Sequence, residues 1–299
     1  MSLAAAAQPL TRRARLGAYV ALTKPRIIEL LLVTTVPTMV VAARGVPSGR
    51  LVLATLVGGA LAAGGANAVN MYVDRDIDRL MVRTRNRPLV TGAISPRAAL
   101  TFAIVLELLA FAELWALVNL LSAVLAVTAT LFYVFVYSLW LKRTSRQNIV
   151  IGGAAGAVPV LVGWAAVRDS LGMAPLVLFA IIFVWTPPHF WALAIRYRDD
   201  YRRADVPMMP TVVGFTRTAR QIVVYTVLLW AASLVFYPVA RMGDLYLVAA
   251  IVLGAIFLWQ AVRLLRDRTP ERAMRLFGYS ISYLTLLFAA MAVDQLLRG

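Results

Sequence analysis

"LVLATLVGGALAAGGANAVNMYVDRDIDRL", residues 51–80, runs from 51 to 73 without an Asp, Glu, Lys or Arg and then places three aspartates and two arginines within 74–79. A charge-free run of that length meets the roughly 17–25 residues a helix needs to cross a bilayer. The stretch therefore reads as a spanning helix with a charged end. The chain repeats this pattern, with charge-free runs at 114–141, 147–167, 170–195, 221–240, 245–262 and 276–293. Two less clean spans, 27–43 with Glu29 and 98–118 with Glu107 and Glu113, complete an expected set of nine helices. These fall at about 27–44, 51–73, 98–118, 121–141, 148–167, 173–196, 221–240, 245–264 and 276–296. With 61% hydrophobic residues and a mean hydropathy of +0.78, the fold class is all-α: a polytopic membrane bundle of nine transmembrane helices.

Lys and Arg accumulate on the cytoplasmic side of membrane proteins. If the N-terminus is cytoplasmic, every basic residue except Arg44, Arg50, Arg168, Arg241 and Arg298 lies on that side, which makes 25 of 30. The C-terminus is then outside. The net charge of +16 is accounted for by this topology and by attraction to anionic lipid heads, so no nucleic-acid partner is expected. The chain has no cysteine, which excludes disulfides, zinc–thiolate sites and thiol catalysis. Residues 1–23 read as a cytoplasmic tail and 24–299 as one transmembrane domain, with cytoplasmic loops at about 74–97 and 197–220.

Those two loops hold the acids. Asn70, Asp74 and Asp78 are spaced i, i+4, i+8, so a helix continuing through them aligns all three on one stripe. Asp76 falls off it and is expected to pair with Arg75 or Arg79. Carboxylate and amide oxygens suit Mg²⁺, which takes one or two carboxylates, waters and a substrate's phosphate oxygens. The stripe alone reads equally well as a solvated helix end with i, i+4 ion pairs. Arg83, Arg85 and Arg87 then follow at alternate positions, as candidate guanidinium clamps for phosphate. Lys142, Arg143 and Arg146 lie on the same membrane face. A second cluster, "RYRDDYRRAD" at 196–205, interleaves Arg196 and further arginines with Asp199, Asp200 and Asp205.

Together these residues suit a diphosphate. In a chain this apolar, the natural diphosphate is a polyprenyl one, with its head at the interface and its tail among helices. Neutralising the leaving group favours ionisation of the allylic C–O bond, and aromatic faces stabilise the resulting cation. Tyr137, with Tyr133, stands near the end of the fourth expected helix and reads either as such a face or as part of an interfacial aromatic belt. Trp140 reads better as belt.

The stretch "NAVNMYVDRDIDRLMVRTRNRPLVTG" resembles the first aspartate-rich motif of the UbiA-type intramembrane prenyltransferases, and within them the protoheme IX farnesyltransferases. "LTKPRIIELLLVTT", "YSLWLKRTSRQNIVIGGAAGAVP" and "WTPPHFWALAIRYRDDYRRADVPMMP" carry the resemblance along nearly the whole chain. It implies a UbiA-type bundle capped by the two loops. Asn70, Asp74 and Asp78 would bind Mg²⁺ and diphosphate in the first motif, and Asp200 with Asp205 in the second, with Asp199 as the alternative to Asp205. It implies farnesyl transfer from farnesyl diphosphate to a vinyl group of haem B, with addition of water, giving haem O. Haem B is then a substrate, and Asp74, Asp78, Asp200 and Tyr137 are catalytic. Substrate contacts are expected from Arg83, Arg85, Arg87, Lys142, Arg143 and Arg196, in a cell inner membrane with the active site on the cytoplasmic side. Association with other haem-biosynthesis or oxidase-assembly proteins is a further expectation.

His189, the sole histidine, is the candidate haem contact; the other reading is a polar side chain satisfied between helices. Pro187 and Pro188 predict a kink beside it. Glu107 needs a partner, since an acid inside a membrane is costly. Two other functions fit parts of the sequence. One is a related enzyme prenylating a quinone precursor or chlorin. The other is a secondary anion transporter, which predicts charge or broken helices near the bilayer midplane.

Overall fold

The computed structural model describes residues 11–298, without the side chains of 26–32. The first ten residues of the expected tail, and the side chains of Arg26 and Glu29, lie outside the described residues. The architecture is all-helical. In order, the elements are α1 (Arg12–Thr23), α2 (Pro25–Ala43), α3 (Gly49–Val73), α4 (Arg75–Leu80), α5 (Pro96–Leu117) and α6 (Leu120–Leu131). α6 widens into a π-helix (Phe132–Leu141) that ends in the short α7 (Lys142–Thr144). There follow α8 (Asn148–Arg168), α9 (Met173–Arg196), α10 (Arg198–Arg203), α11 (Met209–Val212), α12 (Gly214–Ala240), α13 (Asp244–Asp267) and α14 (Pro270–Arg298).

Among the described residues, eight helices are long and apolar enough to cross a membrane, counting Leu120–Thr144 as one. The first expected span corresponds to α2, whose described apolar part, Val33–Ala43, is short. α3, α8 and α9 are the most enclosed, while α5, α12 and α13 expose much of their surface to the outside. A low-dielectric surround gives no water to backbone groups and makes small residues and interhelical hydrogen bonds the means of association. Asn119 accordingly donates to the Ala165 carbonyl at 2.7 Å, Trp185 to Ser280 at 2.8 Å, and Tyr279 to Leu253 at 2.9 Å. α9 runs unbroken through Pro187 and Pro188.

Three features lie beyond the sequence reading. α1 forms a helix inside the expected tail and buries Leu22 with Ala68 and Met71 of α3, while Tyr19 meets Phe102 of α5 edge-on at 5.0 Å. Leu89 and Ile94 join that cluster, which anchors the loop after α4. α12 starts at Gly214, seven residues before the expected 221, because the helix continues through Arg217 and Arg220, charged residues that an apolar run cannot include. Glu107 finds its partner in Thr130, whose hydroxyl donates to it at 3.2 Å. Its carboxylate also fills the space left by Gly65, where a Cβ would lie 2.5 Å from Oε1.

Candidate active site

The stripe of Asn70, Asp74 and Asp78 survives a change of element. α3 ends at Val73 and α4 begins at Arg75, but Asp74 keeps near-helical torsions and its carbonyl accepts from Asp78 N at 2.8 Å. All three side chains are buried. Asp76 points away, its side chain 60% exposed. Its partner is neither Arg75 nor Arg79: Arg143 holds it with two bonds of 2.7 Å and also donates to the Val73 carbonyl. The Arg143 hydrogen bond holds the Asp76 carboxyl down at about 2. So exposed an ion pair contributes under about 1 kcal/mol. Asp76→Asn is therefore expected to leave transfer rates within about threefold of the parent, measured on purified protein; a hundredfold loss would place Asp76 in the machinery.

Each buried acid meets a cation. Asp74 Oδ2 accepts from Asn70 at 2.8 Å and pairs with Lys142. One nitrogen of Arg87 reaches both oxygens of Asp78, at 2.7 and 2.8 Å. Ser138 on the π-helix accepts from Asn70 at 3.0 Å. π-Turns are concentrated at functional sites. Here the wider turn lets two neighbours face inward, Ser138 to Asn70 and Tyr137 to α8, while Tyr133 stacks on Tyr137 at 5.3 Å. Trp140 is exposed, in keeping with a belt position.

The second acidic cluster joins the first. Asp200, buried on α10, pairs with Arg203 and accepts from the Arg83 backbone N–H at 3.4 Å. The Arg83 guanidinium lies 5.5 Å from the Tyr197 ring centre and hydrogen-bonds Tyr201. Burial raises the Tyr201 phenol above its ordinary value, and Arg83 opposes it. Residues 81–91 are wound in successive turns between the buried Met81 and Leu89. Alternate arginines therefore do not share a face: Arg83 and Arg87 enter the network, while Arg85 is exposed.

Other expected residues stand apart from this network. Arg196 is exposed, and Asp199 is exposed with only Arg202 beside it at 3.8 Å. Asp205, expected beside Asp200, is also exposed; its φ of 53° closes the turn after α10, a backbone role that suits Gly or Asn. His189 is buried between helices, stacked on Trp185 at 4.3 Å and Phe277 at 4.5 Å, with Nδ1 2.6 Å from Ser280 Oγ. Since that hydroxyl donates to the Phe277 carbonyl, His189 donates to it. The arrangement is that of an interhelix contact, satisfied without a haem.

Lys24 was missed by the sequence reading, which counted it only as a topological charge. It ends α1 and precedes Pro25 in the left-handed region, φ 53°, which turns Nζ inward to Asn70 Oδ1 at 2.7 Å. Burial, then Arg87 and Lys142, pull its ammonium down to about 7, against the pull of Asp74 and Asp78. An ammonium held beside two other cations favours an added anion. Lys24→Met is expected to raise KM for a prenyl diphosphate about 10- to 100-fold, the worth of a hydrogen bond to a charged group; an unchanged KM in a steady-state titration would remove it from the anion site.

Among the described residues no three His, Asp or Glu side chains gather as a metal-binding set. The donors nonetheless fit a metal completed by its substrate. Asp74 Oδ1 is buried without any hydrogen-bond partner, an oxygen left free for a ligand, and Asp78, Asn70 and Asp200 supply further oxygens of the kind Mg²⁺ takes alongside phosphate and water.

Residues 31–289 match the model of the UbiA prenyltransferase family. The chain is 54% identical to a protein of Kineococcus radiotolerans named protoheme IX farnesyltransferase, over 95% of this chain and 89% of that one. Its fold is similar to a digeranylgeranylglyceryl phosphate synthase structure, with TM-score 0.78 and 18% identity, covering 94% of this chain and 99% of that one. It is also similar to an Archaeoglobus fulgidus UbiA homologue bound to DMAPP and Mg²⁺, with TM-score 0.66 and 18% identity, covering 92% and 99%.

Proposed function

This chain belongs to the UbiA prenyltransferase family, and from that premise we propose that it is a protohaem IX farnesyltransferase. It transfers the farnesyl group of farnesyl diphosphate to a vinyl carbon of haem B, with addition of water, to give haem O and diphosphate. The observation that carries this reading is the buried stripe of Asn70, Asp74 and Asp78 enclosed by Lys24, Lys142 and Arg87 at one end of an apolar bundle. Such an end takes a charged head whose hydrocarbon tail lies among helices. The name carried by the Kineococcus relative supports haem as the acceptor over a quinone precursor or chlorin.

Asn70, Asp74, Asp78 and Asp200 would hold Mg²⁺ with the diphosphate. When bound, the ion neutralises charge on the leaving group. Lys24, Lys142, Arg83 and Arg87, now paired with those acids, supply the donors that turn to phosphate oxygens. The stacked faces of Tyr133 and Tyr137 lie where electron-rich rings stabilise an allylic cation. The distribution of basic residues supports nine spans with the N-terminus inside, a single domain over 24–299 after a tail of 1–23, and a site on the cytoplasmic face of the cell membrane.

The test is direct. Protein reconstituted in lipid is incubated with haem B, farnesyl diphosphate and Mg²⁺, and the porphyrin products are read by mass spectrometry, with 4-hydroxybenzoate as a competing acceptor. Haem O is expected. Folded protein that makes none, or that prenylates only the phenol, would sink the assignment.

A further inference from the structure

Asn148, the first residue of α8, is fully buried, yet neither its amide nitrogen nor its amide oxygen has a hydrogen-bond partner in the protein. A buried amide left wholly unpaired is costly, and native proteins satisfy such groups with internal waters that make two to four polar contacts. Asn148 therefore marks a water site. The other buried atoms without partners, on Asp74, Glu113, Trp191 and Arg198, each present a single donor or acceptor. Among these residues only Asn148 offers a neutral acceptor and donors together.

Its place in the fold ties that water to the reacting groups. Asn148 and Gly152 lie one helical turn apart on the same face of α8. Gly152 is where α8 meets Tyr137: a Cβ there would lie 2.3 Å from the ring. Ser138, the next residue, is bonded to Asn70 of the acidic stripe. The amide thus stands about 5.4 Å nearer the acidic end than the Tyr137 contact, on the side of α8 turned toward the π-helix.

We propose that Asn148 is a positioning residue that holds the water consumed in the reaction. The inference rests on the farnesyltransferase reading. As the allylic C–O bond breaks, diphosphate leaves with the electron pair and the vinyl π electrons form the new C–C bond. The positive charge then sits on the vinyl carbon attached to the macrocycle. Water's oxygen bonds to that carbon, and one of its protons passes to an oxygen of the departing diphosphate. Without a held water, the same cation instead loses a proton to diphosphate and closes a double bond, giving a product lighter by one water. The amide oxygen accepts one O–H of the water and an amide N–H donates to it, which leaves a lone pair for the carbon.

The experiment compares wild type with Asn148→Leu, close in shape and unable to hold a water. Release of diphosphate and the ratio of hydrated to dehydrated farnesylated porphyrin are measured together. The ratio is expected to fall about tenfold or more, as for a lost hydrogen bond to the nucleophile, while diphosphate is still released. An unchanged ratio overturns the proposal. If Asn148→Leu does not fold, Asn148→Ala, which only removes bulk, takes its place under the same criterion. Wild-type protein that yields no farnesylated porphyrin would sink the functional reading instead, so the two failures are distinguishable.

Discussion

Replacing Asp74 with Asn is expected to lower kcat/KM for farnesyl transfer by at least about a thousandfold, at the upper end of what one preorganised charge contributes in a dry site. Asp74 is wholly buried, shares Oδ2 between Asn70 and Lys142, and keeps Oδ1 free. Amide for carboxylate keeps the shape and an oxygen for Lys142 but removes the negative charge that would hold a divalent ion. Removing one partner of a buried ion pair commonly destabilises by about 3–5 kcal/mol; the retained oxygen keeps the loss below that range. Transfer of labelled farnesyl to haem and thermal unfolding in detergent, measured on one preparation, separate the two effects. Activity within tenfold of wild type would refute the assigned role.

Gly152→Ala should cut kcat about a hundredfold with little change in farnesyl diphosphate binding. The added methyl would meet Cδ2 of Tyr137 at 2.3 Å, Cγ at 2.9 Å and Cε2 at 3.0 Å. These are ring atoms held by a stack on Tyr133, with no flexible end to swing aside. Overpacking of this kind costs about 1–3 kcal/mol, and a displacement of about 1 Å at a reacting centre costs about a hundredfold in rate. The cations on Asp74 and Asp78 are untouched, so the diphosphate should still bind. A double-mutant cycle with Tyr137→Leu decides the matter: if the methyl acts through the ring, the double variant is hardly worse than Tyr137→Leu alone. Additive losses would contradict that account.

What could be read in advance follows the range over which each signal acts. Helical periodicity is local, so the alignment of Asn70, Asp74 and Asp78, and the exclusion of Asp76 from it, were legible although the helix changes element at Asp74. The partner of Asp76 was not, because Arg143 lies 67 residues away, and sequence favours near neighbours such as Arg75. Lys24 escaped for a different reason: its role depends on a left-handed backbone before Pro25, which nothing in its residue type announces. Asp205 was over-read in the opposite direction, since an acid in an acidic cluster looks like a ligand until its positive φ shows a backbone task. His189 divided between two uses, and only the positions of Trp185, Phe277 and Ser280 on separate parts of the bundle show that its ring is already engaged. The spans were readable by composition, whereas α1 was not, its residues 12–23 being too polar to stand out from a tail.

The π-helix makes this site sensitive to insertion and deletion in a way its chemistry does not announce. A π-turn carries an extra residue relative to an α-turn, so deleting one residue from 132–141 would relax the segment toward α and rotate everything after it by about 100°. Lys142 would swing off Asp74 and Ser138 off Asn70 with every charged residue still present. Substitutions on the outer face, at Phe135, Leu139 or Trp140, all exposed, should be absorbed by lipid. Over evolutionary time this helix is free to vary in composition and bound to keep its length.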